Sequence, residues 1–221
     1  VFHQIKAMQH SFTNSDSIRP SLFKDGKLNI NEYLLIVQPH EDLYNKMMHI
    51  KQSFAQKYDC PLAAYTKPHI TLINFVQWEM QEPKLIHQLN SAIAVNHPFL
   101  VTINGFGSFP THTIYANIQT KNNLVHLVKS LKTIQRILTL DNKNKPHFIT
   151  EPHLTIARKL LPWQYEKAWL EYSNTPLTAS FMVNELVLLK RQVDTKKYTV
   201  LTSFPLLSKT DISVQTALLF N

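Results

Sequence analysis

The sequence predicts an α+β fold with two pseudo-symmetric lobes, each built from a strand-helix-strand-helix-strand unit, and a central cleft between them. A pattern of Pro-His-aliphatic-Thr-aliphatic occurs twice, in Lys67-Pro68-His69-Ile70-Thr71-Leu72 and Glu151-Pro152-His153-Leu154-Thr155-Ile156, with His153 lying 84 residues after His69. The elements on either side of the two copies come in the same order, which argues for duplication better than the motif alone. Each copy also reads as a strand half-buried in a sheet. Side chains alternate faces with a period of two, so His and Thr share one face while Ile70 and Leu72, or Leu154 and Ile156, point into a core. One site shared by two lobes is the expectation.

Taken in order, residues 1–28 are polar and lack a sustained period. They read as a flexible or loosely docked extension, with a short helix over 4–9 compatible with the pattern. The single bilobal domain is expected to occupy 29–221. Residues 33–38 form a short apolar run stopped by Pro39, a buried strand. Over 41–58, Leu43, Met47, Ile50 and Phe54 recur at helical spacing behind an acidic first turn. The first His-x-Thr strand covers 69–76. Pro83 suits the first turn of a helix bearing Leu85, Ile86, Leu89 and Ile93, and 99–103 is the next strand.

The second unit opens with a strand over 113–118. A helix follows, capped by Asn122 or Asn123 and carrying Leu124, Leu127, Val128, Leu131, Ile134 and Leu138 toward residue 140. A polar loop over 141–146 leads into the second His-x-Thr strand. Pro162 opens a helix with Trp163, Ala168, Trp169 and Tyr172, and strands are expected over 181–190 and 198–204.

Composition narrows the function classes. A formal charge of +8 favours an anionic partner such as nucleic acid or a phosphorylated metabolite, against the plainer reading of a merely basic surface. No run of about 18 apolar residues predicts a spanning helix. The N-terminal stretch lacks a secretory pattern, so the cytoplasm is the expected location and no membrane association is predicted. Cys60 is the sole cysteine, which excludes an internal disulfide and fits a reducing compartment. The only glycines are Gly26, Gly105 and Gly107, too few and wrongly spaced for a Walker or dinucleotide phosphate loop. No His-Glu-x-x-His and no Cys-x-x-Cys is present, so neither a metal site nor a cofactor is predicted.

The paired strands suggest a chemistry. Phosphodiester cleavage needs a base for the incoming oxygen and an acid for the leaving oxygen, on opposite sides of phosphorus. Histidine suits both roles, because its ordinary pKa near 6.5 leaves both protonation states accessible. His69 and His153 are therefore the candidate acid/base pair, and Thr71 and Thr155 the candidate donors to the non-bridging oxygens. Tyr115 shares a strand face with Thr113 and Asn117, and either stacks on a base or packs in the core. The other histidines, His147 included, read as structural. The basic residues Lys129, Lys132 and Arg136 read as a solvated helix face, and Cys60 as inert.

With its two His-x-Thr-hydrophobic motifs the chain resembles the 2H phosphoesterase superfamily, and within it the 2′-5′ RNA ligase-like and cyclic phosphodiesterase branch. The resemblance covers residues 29–207, including Glu185-Leu-Val-Leu-Leu-Lys190 and the final strand. It implies a bilobal fold and a metal-independent enzyme acting on 2′,3′-cyclic or 2′-5′ phosphodiesters of a nucleotide or RNA. The expected protein is a monomer, and the reaction runs as hydrolysis or, in reverse, as 2′-5′ RNA ligation. A module that binds RNA or a nucleotide in the same cleft without turnover is the competing expectation. The resemblance also points to Arg158 as a phosphate ligand. Strict alternation, however, puts Arg158 on the face opposite His153 unless the strand ends or bulges near Ala157.

Overall fold

Nine strands and six α-helices follow one another along residues 29–207, the residues that the computed structural model describes. The extension expected over 1–28, its helix over 4–9 and the segment beyond 207 lie outside the described residues. The strands are β1 (Ile30–Val37), β2 (Ile70–Trp78), β3 (Phe99–Phe109), β4 (Thr113–Ile118), β5 (His147–Phe148), β6 (Leu154–Arg158), β7 (Thr178–Val183), β8 (Glu185–Gln192) and β9 (Thr199–Pro205). The helices are α1 (Glu41–Lys57), α2 (Pro61–Tyr65), α3 (Glu82–Ala94), α4 (Lys121–Leu131), α5 (Gln135–Leu138) and α6 (Pro162–Tyr172).

All the strands join one antiparallel sheet in the order β7-β3-β4-β6-β2-β1-β8-β9, with β5 added beside β2. The two His-x-Thr strands, β2 and β6, are thereby central neighbours. The helices cover the face that carries Ile70, Leu72, Leu154 and Ile156, all fully buried. Burial of that face is what drives the arrangement. Leu43, Met47 and Phe54 of α1, Leu85, Leu89 and Ile93 of α3, and Leu124, Leu127, Val128 and Leu131 of α4 supply the facing stripes. The connections cross the midline: α1 follows β1 but packs beneath β6, and α4 follows β4 but packs beneath β2.

Several expected elements differ. The strand expected to end at residue 103 continues to Phe109, because Gly105, at φ +66°, makes a bulge rather than a stop. The run 181–190 is two strands, β7 and β8, which meet at Asn184 and pair in opposite halves of the sheet with β3 and β1. No glycine or proline marks that break. The helix expected to reach residue 140 stays α-helical to Leu131, tightens into a 3-10 turn over Lys132–Ile134 and ends in α5. Its N-cap is Thr120, not Asn122 or Asn123. Nor does each five-element run form its own half of the sheet, since β3 lies between β4 and β7 while β8 and β9 lie beyond β1. No described helix is long and apolar enough to cross a membrane.

Candidate active site

The joint between β2 and β6 is narrow. Ile70 pairs with Leu154, the one register pair between them, after which the same edge of β2 passes to β5 through Ile73 with Phe148 and Asn74 with His147. Extending the antiparallel register one residue each way sets His69 opposite Thr155 and Thr71 opposite His153. The four side chains make a tile on the face away from the helices, each half-buried.

Both rings are oriented the same way. The Nδ1 of His69 lies 2.7 Å from the carbonyl oxygen of Lys67, and that of His153 lies 2.8 Å from that of Glu151. A carbonyl only accepts, so Nδ1 carries the proton and donates, which leaves the lone pair of each neutral ring on Nε2. Pro68 and Pro152 precede each histidine, and both are buried.

The faces along both strands are reset by bulges. On β6, Tyr115 pairs with Thr155, Ile114 with Ala157 and Thr113 with Arg158, so Ile156 is extra. Directly paired residues share a face, and Thr113 and Tyr115 share one with each other. Thr155 and Arg158 therefore lie on the same face. This resolves the alternation expected from the sequence: Arg158 stands beside the His-x-Thr tile, because the strand bulges at Ile156. On β2, Ile36 pairs with Thr71 and Leu35 with Ile73, so Leu72 is extra, and Asn74 returns to the face of Thr71. His147, paired with Asn74, joins that face and is exposed.

Aromatic rings wall the tile at His153. Phe109 meets the imidazole edge-on at 5.0 Å between ring centroids, Tyr115 lies at 5.1 Å from it, and the two aromatics are 4.9 Å apart. Tyr115 lies over Gly107, where a Cβ would come within 2.5 Å of the tyrosine ring, so the glycine is a space requirement. On the other side, Asn74 Nδ2 donates to Glu32 at 3.1 Å and Arg191 pairs with Glu32, its guanidinium 4.9 Å from the Tyr198 ring centroid.

The charges around the two imidazoles differ. Burial pushes the His69 pKa below its ordinary value, and the positive charges of Lys51 and Arg158 push it the same way. Burial also lowers His153, but there the Glu151 carboxylate opposes the shift. Glu151 itself pairs with Lys121 at 2.8 Å. Burial raises the Tyr115 hydroxyl. Lys51 lies beneath β6, where burial and then Arg158 lower its ammonium to about 8. Cys60 is buried and its thiol is raised, chiefly by burial. Among the described residues no group of three or more His, Cys, Asp or Glu could hold a metal ion.

All six residues singled out from the sequence, His69, Thr71, His153, Thr155, Tyr115 and Arg158, thus fall on this one face. Sequence reasoning passed over Lys51, Asn74 and Phe109, and read His147 as structural while allowing it a place near the cleft. For Lys51 a signal existed: it stands four residues after Met47 and three before Phe54, on the buried stripe where Ile50 was expected. The hollows along the β7 edge, one of about 380 Å³ lined by Thr102, Asn104, Thr178 and Ser180 and another beside His40, include neither motif.

A family model described as the 2′-5′ RNA ligase superfamily matches residues 39–195. No curated protein matches the chain by sequence. Among solved structures, a Thermus thermophilus protein, TT0787, superposes with a TM-score of 0.61 at 18% identity, covering 80% of this chain and 99% of its own. Escherichia coli LigT complexed with 3′-AMP superposes with a TM-score of 0.56 at 16% identity, covering 81% of this chain and 99% of its own.

Proposed function

Because the chain belongs to the 2′-5′ RNA ligase superfamily, we propose that it is a phosphoesterase that cleaves 2′,3′-cyclic or 2′-5′ phosphodiesters of a nucleotide or RNA, with His69 and His153 as its acid/base pair. The observation that carries this reading is the tile itself: two imidazoles with their lone pairs on Nε2, beside two threonine hydroxyls on one rigid face. LigT has been solved with 3′-AMP, ATP, NADP+ and phosphate. These are ligands of the class that the tile and the basic charge of this chain suit.

In the reaction, water attacks phosphorus in line with the departing ribose oxygen. One imidazole takes the proton from water as the new P–O bond forms, and the other gives its proton to the ribose oxygen as the old bond breaks. The charge pattern favours His69 as the base. Lys51 and Arg158 disfavour its imidazolium, whereas at His153 Glu151 favours a proton against the smaller opposing pull of Lys121. Thr71 and Thr155 donate to the non-bridging oxygens, where negative charge grows. Arg158 receives the phosphate, and Tyr115 with Phe109 offers a surface on which a base stacks. No step calls for a metal ion. When a ribose 5′-hydroxyl replaces water and attacks a 2′,3′-cyclic phosphate, the P–O3′ bond breaks, the 3′-oxygen leaves with a proton from the acid, and a 2′-5′ linkage forms.

We read the two strands as copies of one ancestral unit facing across a cleft. The 84-residue spacing, the carbonyl two residues before each histidine and the bulge one residue after each threonine support that origin.

Product analysis on 2′,3′-cyclic nucleotides, 2′-5′ dinucleotides and cyclic-phosphate-ended RNA tests the function. Turnover that continues in excess chelator is expected. Tight RNA binding with no turnover on any of them would replace this reading with that of a binding module.

A further inference from the structure

Lys51 is the one buried residue with a charged side chain among the described residues, at 1% exposure. It projects from α1, which follows β1 in the chain but packs beneath β6. Its Nζ donates to the carbonyl of Thr155 at 3.0 Å and to that of Ile156 at 2.9 Å. Those are the backbone groups of the bulge.

The other His-x-Thr strand shows what this contact replaces. At its bulge the carbonyl of Leu72 accepts from the backbone N–H of Ile149 at 2.9 Å, because the chain near β5 runs alongside β2. β6 has no such companion: it pairs with β4, and with β2 only through Leu154. A buried carbonyl needs a donor, and here a lysine from a distant helix supplies it. In α4, the helix that lies beneath β2, the buried stripe is wholly apolar. A lysine is thus placed under the bulge of β6, whereas a backbone N–H serves the bulge of β2.

The consequence reaches the site through geometry. With Ile156 extra, Arg158 faces the same way as Thr155; with regular alternation it would face the core. We propose that Lys51 is a positioning residue, whose hold on the Thr155 and Ile156 carbonyls keeps the bulge that brings Arg158 to the His-x-Thr face and sets a positive charge beneath a bound phosphate. The part played by phosphate rests on the phosphoesterase reading; the hold on the bulge does not. The titratable and charged groups facing Lys51 are Arg158 from β6, Cys60 at the start of α2 and His69 at the start of β2.

The test is a double-mutant cycle of Lys51→Met and Arg158→Ala in the full chain. It reads kcat and KM on the cyclic phosphodiester turned over fastest and, independently of turnover, the Kd for inorganic phosphate and the NMR titration of the His69 ring. Displacing Arg158 and Thr155 by about 1 Å should make Lys51→Met lose about 10- to 100-fold in kcat/KM. In the Arg158→Ala background the further loss should be under about 3-fold, since the two act as one unit. The His69 ring should titrate at higher pH in Lys51→Met. Additive losses with an unmoved His69 titration would overturn the proposal. If the wild type turns over no substrate while the phosphate cycle is non-additive and His69 shifts, the positioning role stands and the assigned reaction falls. Should Lys51→Met not fold, Lys51→Gln, which keeps an N–H donor without the charge, repeats the cycle. Failure of both to fold assigns Lys51 to stability alone and overturns the proposal.

Discussion

Ile70 and Leu154 face each other across the middle of the sheet, and theirs is the one register pair joining the two His-x-Thr strands. Both side chains are fully buried, so the pairing that aligns the motifs is anchored in the core directly beneath them. Because the strands are antiparallel, each histidine has the other motif's threonine across from it.

The proposed acid/base pair has a signature in rate and pH. His69→Ala and His153→Ala should each lose on the order of 10²–10⁴ in rate. Thr71→Val and Thr155→Val should each lose about 10²–10³ if they act as oxyanion donors do. The profile of kcat/KM should be bell-shaped, with limbs that belong to the coupled pair. Burial lowers both imidazoles, so the optimum should fall on the acid side of about 6.5, the ordinary histidine value. A flat profile from pH 5 to 9, or full activity in His153→Ala, would remove the two-histidine mechanism.

Gly107 should tolerate no side chain while Tyr115 lies over it. A Cβ there meets the ring at 2.5 Å, so Gly107→Ala should destabilise the fold by about 1–3 kcal/mol or drive the ring off its place beside His153. In a Tyr115→Leu background the same substitution should cost clearly less. Denaturant melts of the four proteins measure the difference, and equal costs in both backgrounds would mean that the ring is not what excludes the side chain.

Arg158 stands on the His-x-Thr face and lowers the His69 pKa. Arg158→Ala should weaken inorganic phosphate binding and raise KM for a cyclic phosphodiester. Arg158→Lys should restore only part of the loss, since an ammonium lacks the planar fork that grips two phosphate oxygens. Calorimetric titration with phosphate reads this directly, and an unchanged Kd in Arg158→Ala would take the residue out of the proposed phosphate site.

Lys51 should leave a mark on stability against pH. Its ammonium is lowered from the ordinary 10.5 to about 8 in the folded chain. Below about 8 both states are protonated, and the folded state bears the cost of a buried charge. As pH rises from about 8 to about 10.5 the folded lysine is already neutral while the unfolded one still holds its proton, so stability should rise by on the order of 3 kcal/mol. Buried tyrosines such as Tyr33 and Tyr58, whose hydroxyls are raised by burial, pull the other way at the alkaline end. The comparison is therefore the difference between wild type and Lys51→Met. A difference that stays constant across this window would show that Lys51 is not held below its ordinary pKa.

Much of this molecule follows from local pattern alone. The Pro-His-x-Thr strands, the faces of their histidines and threonines, and the stripes of α1, α3 and α4 are set by periods of two and 3.6 in side-chain character, which need no knowledge of neighbours. The strand over Thr113–Ile118 is legible for the same reason, and with it the face of Tyr115. Tertiary structure decided the rest, because it turns on which partner a backbone group finds. Asn184 separates β7 from β8 with no local breaker, since the two strands are claimed by β3 and β1 in different halves of the sheet. β3 runs on through Gly105 because β4 and β7 pair with it on both sides. Arg158 reaches the His-x-Thr face through a bulge that only the register against β4 reveals. Lys51 lies on the buried stripe of α1, but that its ammonium meets the Thr155 and Ile156 carbonyls at that bulge follows only from α1 passing beneath β6.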